Sequence, residues 1–369
     1  MSLHLPDFPW DALLPYATLA RAHPGGIVDL SIGSPVDPTP PAIRLALEAA
    51  TDAHAYPQTS GTPVLRASIA DWFARRRGVP GLTPDNTLPT IGSKELIAGL
   101  PLWLGVRSGD TVVHPATAYP TYAIGAAVAG ATALATDTPA EWPDTTKLVW
   151  LNSPGNPDGR VLSVAQLRAA VARARELGAV IANDECYAEF GWQIPWSGRA
   201  TPSILDPAVI GDDSTSVLAV YSLSKQSNLA GYRAGFVAGD EQLITELLGV
   251  RKHLGLIPPA PVQAAMIAAL TDDAHVTAQL ERYRTRRRRL VVALRAAGCR
   301  IDHSEAGLYL WVTRGEDSWV TIEWLASLGI LAAPGSFYGP AGENHVRIAL
   351  TATDERIDAA SRRLSDIAN

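Results

Sequence analysis

The chain has 369 residues, 47% of them hydrophobic and 18% charged, with a formal net charge of −6. That length allows two packed bodies, and the composition excludes a disordered chain. The acidic balance offers no electrostatic footprint for nucleic acid or an anionic surface. Two cysteines, Cys186 and Cys299, give neither a disulfide framework nor a CxxC metal site, so a reducing cytoplasm is the expected location. No signal peptide is expected, and no apolar run approaches the ~20 residues of a membrane helix.

Residues 1–26 read as an arm whose Phe8, Trp10 and Tyr16 are expected to pack on a body or on a partner subunit. A short strand at 27–32 runs into the turn G-S-P-V-D-P-T-P, and a helix follows with proline at its start. The loop Y-P-Q-T-S-G-T-P-V-L-R (56–66) feeds a helix over 64–77. Strands are predicted at 87–91, 111–114, 131–135, 147–151, 179–184, 216–221 and 234–238, with helices between them, clearest at 93–104 and 163–177. Continuous apolar strands alternating with amphipathic helices predict an α/β fold with a mainly parallel seven-stranded sheet covered on both faces. Ligands then gather beyond the carboxyl ends of the strands.

After residue 239 come a helix (241–254), a proline-rich joint (255–263) and a long helix (274–297). Strands at 308–313, 329–333 and 345–350 with helices at 319–327 and 354–366 complete a smaller α+β domain. The expected divisions are an arm (1–38) joining the small domain, a large domain (39–255) and the small domain (256–369). The basic run at 282–289 reads as a solvated helix face, with Glu281 and Glu305 as available partners.

One stretch carries the chemistry. The apolar strand 216–221 delivers Lys225 into a polar setting made by Ser222, Ser224 and, eight residues on, Arg233. Burial lowers a lysine's pKa, and the neutral amine forms Schiff bases with aldehydes. Arginine and hydroxyls beside it suit a phosphate. An amine next to a phosphate cradle fits pyridoxal 5′-phosphate (PLP). Asp184 closes another strand three residues before Tyr187, as a cap or as a partner for a protonated ring nitrogen. Gly92, Ser93 and Lys94 form a strand–glycine–helix turn that suits an anion, Tyr119 is a core or stacking aromatic, and Arg347 wants a carboxylate, from the protein or from a ligand.

The segment S-L-S-K-(x)7-R-x-G resembles the Schiff-base lysine segment of the class I/II aminotransferases, PLP enzymes of fold type I. N-S-P-G-N-P-D-G (152–159), D-E-C-Y, T-I-G-S-K-E-L and A-Y-P-T-Y continue the resemblance in the family's order. It implies that Lys225 holds the cofactor, that Asp184 keeps its ring nitrogen protonated and that Tyr187 and Asn156 meet its phenolate oxygen. Gly92, Ser93, Lys94, Ser222, Ser224 and Arg233 would hold the phosphate, and Tyr119 would stack on the ring. Arg347, with Asn156 and the backbone of Gly33, would bind the substrate α-carboxylate. Tyr56 would reach the phosphate of a neighbouring subunit, which implies a homodimer with shared sites. Asp158 departs from the threonine usual in the family's asparagine turn. The whole-chain pattern looks most like the succinyldiaminopimelate aminotransferases of lysine and cell-wall biosynthesis, implying L-glutamate as donor and N-succinyl-2-amino-6-oxopimelate as acceptor. Lys94, Glu189, Arg199 and the arm would supply distal contacts. An aspartate- or aromatic-type aminotransferase and a PLP lyase of the same fold are the alternatives. A regulator would need a DNA-binding module that the short arm does not provide.

Overall fold

The computed structural model describes Leu5 and residues 9–367. Its strands are β1 (Val28–Asp29), β2 (Thr87–Ile91), β3 (Thr111–His114), β4 (Thr132–Ala135), β5 (Thr146–Asn152), β6 (Val180–Asp184), β7 (Val217–Ser222), β8 (Ala234–Gly239), β9 (Arg300–Asp302), β10 (Tyr309–Thr313), β11 (Ile330–Leu331), β12 (Ala333–Pro334) and β13 (Val346–Ala349). Its helices are α1 (Leu14–Arg21), α2 (Pro41–Ala49), α3 (Pro63–Arg77), α4 (Gly92–Trp103), α5 (Thr121–Val128), α6 (Val164–Glu176), α7 (Pro207–Ile210), α8 (Leu223–Gln226), α9 (Glu241–Leu254), α10 (Ala260–Thr271), α11 (Ala274–Ala296), α12 (Ser318–Ser327) and α13 (Asp354–Ser365).

The large sheet has seven strands in the order β2-β8-β7-β6-β5-β3-β4. Only β8 runs against its neighbours, pairing antiparallel with both β2 and β7. The all-buried V-L-A-V-Y-S of β7 shows why the sheet needs cover on both faces. Val217, Ala219 and Tyr221 point into one core with Trp72, Phe73 and Phe236, while Leu218 and Val220 point into another with Leu96, Tyr122 and Trp150. This period-two alternation lets one strand serve two layers. The strands β5, β6 and β7 end together at Asn152, Asp184 and Ser222.

A four-stranded antiparallel sheet, β12-β13-β10-β9, belongs to a third core with α11, α12 and α13. The start of the chain packs on this body. Val28 pairs with Ile330, Trp10 lies 5.2 Å from Phe337 and Tyr16 lies 5.4 Å from Trp319 between ring centroids. Phe8 lies outside the described residues.

Three expectations need correction. The expected strand 329–333 is two short strands that pair in different sheets, β11 with β1 and β12 with β13. Helix α10 was not expected, because A-P-V-Q-A-A-M-I-A-A-L-T lacks a polar face. It is sandwiched against α2 and α3, with Met266 and Leu270 in the large-sheet core. For that reason we propose that the large body runs through Thr271 rather than ending at 255. The basic run is only partly solvated. Arg286 is buried and bonds Asp37 at 2.7 and 2.8 Å and Asp354 at 2.7 Å, tying α11 to the loop before α2.

Candidate active site

A cavity of about 460 Å³ opens beyond the carboxyl ends of β5, β6 and β7. Short-range chain geometry builds one part of it. Ser222 caps α8, accepting from Ser224 N at 3.2 Å, while its hydroxyl donates to Ser224 Oγ at 2.8 Å. This cap aims Lys225 into the cavity, where its Nζ donates to the carbonyl of Gly33. Burial pulls the Lys225 pKa down, and the Arg347 and Arg233 cations add to that, against Tyr309 and Cys186. Arg233 adopts a positive φ of 55° and donates to Ala230 O at 2.7 Å. Its guanidinium fills the space a Cβ on Gly92 would need, and Gly92 itself has φ +69°. That glycine is doubly required.

Asp184, at the end of β6, is buried and accepts from Tyr122 Oη at 3.0 Å and Cys186 N at 3.1 Å. Burial pushes its carboxyl up, so the free carboxylate is disfavoured unless a cation faces it. The Tyr187 hydroxyl lies 3.2 Å from that of Tyr309, and burial raises the Tyr187 phenol well above its usual range.

Long-range contacts build the other part. Arg347 on β13 is 4% exposed, donating from Nη1 to Asn156 Oδ1 at 2.9 Å and from Nη2 to Ser31 O at 2.6 Å. Its Cζ lies 4.0 Å from the Tyr309 ring centroid and 5.0 Å from that of Tyr338. Among the described residues its Nε has no hydrogen-bond partner and no carboxylate pairs with the guanidinium. A fixed ion pair therefore does not explain this arginine.

The expected residues converge here with two exceptions. Gly33, Ser93, Lys94, Tyr119, Asn156, Asp184, Tyr187, Ser222, Ser224, Lys225, Arg233 and Arg347 line the cavity. Gly92 stands behind Arg233 instead of on the wall, and Tyr56 is 98% exposed away from it. Of the proposed distal suppliers, Lys94 lines the cavity, as does Trp10 from the arm, but Glu189 and Arg199 do not. Glu189 is buried against Arg76. Asp158 lines a separate cavity of about 500 Å³ with Trp142 and Trp311, so its departure from threonine leaves the site intact.

Sequence reasoning missed Tyr309, Cys186 and Tyr338. In L-Y-L-W-V a functional tyrosine looks like any core aromatic, and Gly33 was the available signal: a Cβ there would collide with the Tyr309 phenol.

The residues present fit PLP. Arg233 has no carboxylate counter-charge among the described residues, and the Ser93, Ser222 and Ser224 hydroxyls lie in the same cavity as the start of α4, which suits a phosphate. Asp184 offers a buried carboxylate in need of a cation, and Lys225 an amine whose charge is disfavoured.

The sequence pattern of the family aminotransferase class I and II matches residues 26–364. The 4-dedimethylamino-4-oxo-anhydrotetracycline transaminase OxyQ of Streptomyces rimosus is 58% identical, over 98% of this chain and 99% of its own. An LL-diaminopimelate aminotransferase of Dehalococcoides mccartyi is 34% identical, over 94% of this chain and 92% of its own. An aminotransferase structure from Neisseria meningitidis superposes with a TM-score of 0.88 at 31% identity, covering 99% of this chain and 97% of the other.

Proposed function

For a chain that belongs to the class I and II aminotransferases, PLP-dependent enzymes acting on amino and oxo acids, we propose L-glutamate as amino donor and N-succinyl-2-amino-6-oxopimelate as acceptor. One observation carries the α-carboxylate part of this reading: among the described residues the buried Arg347 guanidinium meets only neutral oxygens and ring faces. An isolated buried cation costs several kcal/mol, and a ligand carboxylate removes that cost while forking onto the guanidinium.

The roles follow from position. Arg233, Ser93, Ser222, Ser224 and the first N–H groups of α4 would hold the phosphate. Asp184 would keep a proton on the ring nitrogen, with Tyr122 and Cys186 N fixing its two oxygens. Tyr119 would lie against the ring. PLP, when bound, draws off the electron pair left as the substrate Cα–H bond breaks. Arg347 and Asn156 fix the α-carboxylate, which turns that C–H bond toward Lys225. Lys225 Nζ would take the proton and return it, and burial, which lowers its pKa, favours the neutral amine that the first transfer needs. Lys94, at the cavity wall, pairs with a distal carboxylate such as the succinyl group. The long acyl acceptor is supported by the whole-chain resemblance and by diaminopimelate chemistry in the 34%-identical relative.

A second reading has an observation of its own. OxyQ, with 58% identity over nearly all of both chains, acts on a 4-oxo-anhydrotetracycline, and the aromatic walls Trp10, Tyr119 and Tyr309 suit a polycyclic ketone. We further infer a homodimer in which Tyr56, 98% exposed on one chain, completes the partner's phosphate site.

A half-reaction experiment separates these readings. Glutamate should bleach the visible cofactor band of the purified protein, and an oxo acceptor should restore it. Restoration by N-succinyl-2-amino-6-oxopimelate and not by the polycyclic ketone supports the first reading, and the reverse supports the second. A band indifferent to glutamate would sink both in favour of a lyase.

A further inference from the structure

Tyr309 opens β10 at 3% exposure and touches three of the groups just described. Its ring lies 4.0 Å from Arg347 Cζ, so its negative face stands in for a carboxylate, which no described residue offers the guanidinium. Its hydroxyl lies 3.2 Å from that of Tyr187, with the two rings edge to face at 5.6 Å. Gly33 is open on the side that the phenol fills, and the same Gly33 offers its carbonyl to Lys225.

We propose that Tyr309 is a positioning residue, holding Arg347 through its ring and orienting the Tyr187 hydroxyl through its own, so that one side chain sets both the carboxylate receptor and the hydrogen-bond donor beside Lys225. The inference rests on the aminotransferase reading above. A hydroxyl carries one hydrogen. If Tyr309 spends its hydrogen on Tyr187, the Tyr187 hydrogen is left to point into the cavity. The charged and titratable groups facing this pair are Lys225 from α8, Asp184 and Cys186 from the end of β6, Tyr283 from α11, Arg347 from β13 and Tyr338 from the turn after β12. Burial opposes ionisation of Tyr309, yet the Arg347 and Lys225 cations hold its pKa below the ordinary tyrosine value, which favours it as the donor.

The test uses the PLP-loaded enzyme, its Tyr309→Phe and Tyr309→Leu variants, and succinate as a non-reacting carboxylate probe. Without substrate, Tyr309→Phe should move the pH midpoint of the visible band upward by about half to one unit, one lost hydrogen bond's worth. Its kcat should fall by about 3- to 10-fold, with KM for glutamate and succinate affinity within about twofold of wild type, because the ring remains. Tyr309→Leu should weaken succinate about 10-fold or more through loss of the ring face. A Tyr309→Phe titration and kcat superimposed on wild type would overturn the proposal, and so would unchanged succinate affinity in Tyr309→Leu. If Tyr309→Leu does not fold, the Tyr309→Phe titration decides alone. A wild type whose band ignores glutamate would instead remove the aminotransferase reading, and this proposal with it.

Discussion

Arg233 and Arg347 stand in one cavity and are held in unlike ways. Arg233 is exposed, and the hydrogen bond that fixes it reaches only three residues back, to Ala230. Arg347 is buried and bonds partners 191 and 316 residues away. The end that we assign to the phosphate is thus built from one strand–helix turn and the start of α4. The carboxylate end exists only after both bodies and the segment before α2 have come together. A charge of the first kind contributes little to the fold, whereas one of the second kind is a liability to the empty protein and an asset once a ligand arrives.

Changes at four positions would break or sharpen that contrast. Lys225→Ala acts where the two ends meet. It should lower kcat by about 10²- to 10⁴-fold or more through loss of the proton carrier, checked by steady-state turnover. In the cofactor-free protein, the folded Lys225 pKa lies below its unfolded value, so the unfolded state binds the proton first and stability rises with pH through that window. Lys225→Met should flatten this slope in pH-dependent denaturation. Arg347→Met should cost about 2–4 kcal/mol in kcat/KM for α-carboxylate substrates and yet raise the melting temperature of the cofactor-free chain, because an uncompensated buried charge is gone. A melting temperature that falls instead would mean that the guanidinium is structural. Arg233→Ala should weaken PLP binding by about 10- to 100-fold in equilibrium dialysis, with the cofactor-free melting temperature nearly unmoved. The smallest effect is expected at Asp302, outside the cavity. Hydrogen bonds from Arg300 and His345 hold its carboxyl at about 2. Its stabilisation is present above the unfolded pKa of about 4 and is lost as pH falls toward 2, so Asp302→Asn should cost at most ~1 kcal/mol at neutral pH and leave turnover alone.

The same contrast explains what was legible in the sequence. The seven strands and the Lys225 segment were readable because period, strand ends and turn residues are local signals. Arg347 was readable as a cation out of place on an apolar strand, but its neutral partners were not, since Asn156 and Ser31 reach it only in three dimensions. Helix α10 escaped because a helix buried between α2 and α3 has no polar stripe to give the 3.6-residue period. Arg286 looked solvated for the opposite reason: its neighbours in R-T-R-R-R-R are exposed or half-exposed, and its partners Asp37 and Asp354 lie far away in sequence.

The space shared by Gly33 and the Tyr309 phenol also has a consequence for descent. Any side chain at 33 would run into that phenol, and a ring without the hydroxyl would still leave two of its carbons 2.8 and 2.9 Å from a Cβ there. Positions 33 and 309 are therefore constrained together, and in related chains a side chain at the first should appear only with a residue smaller than an aromatic ring at the second.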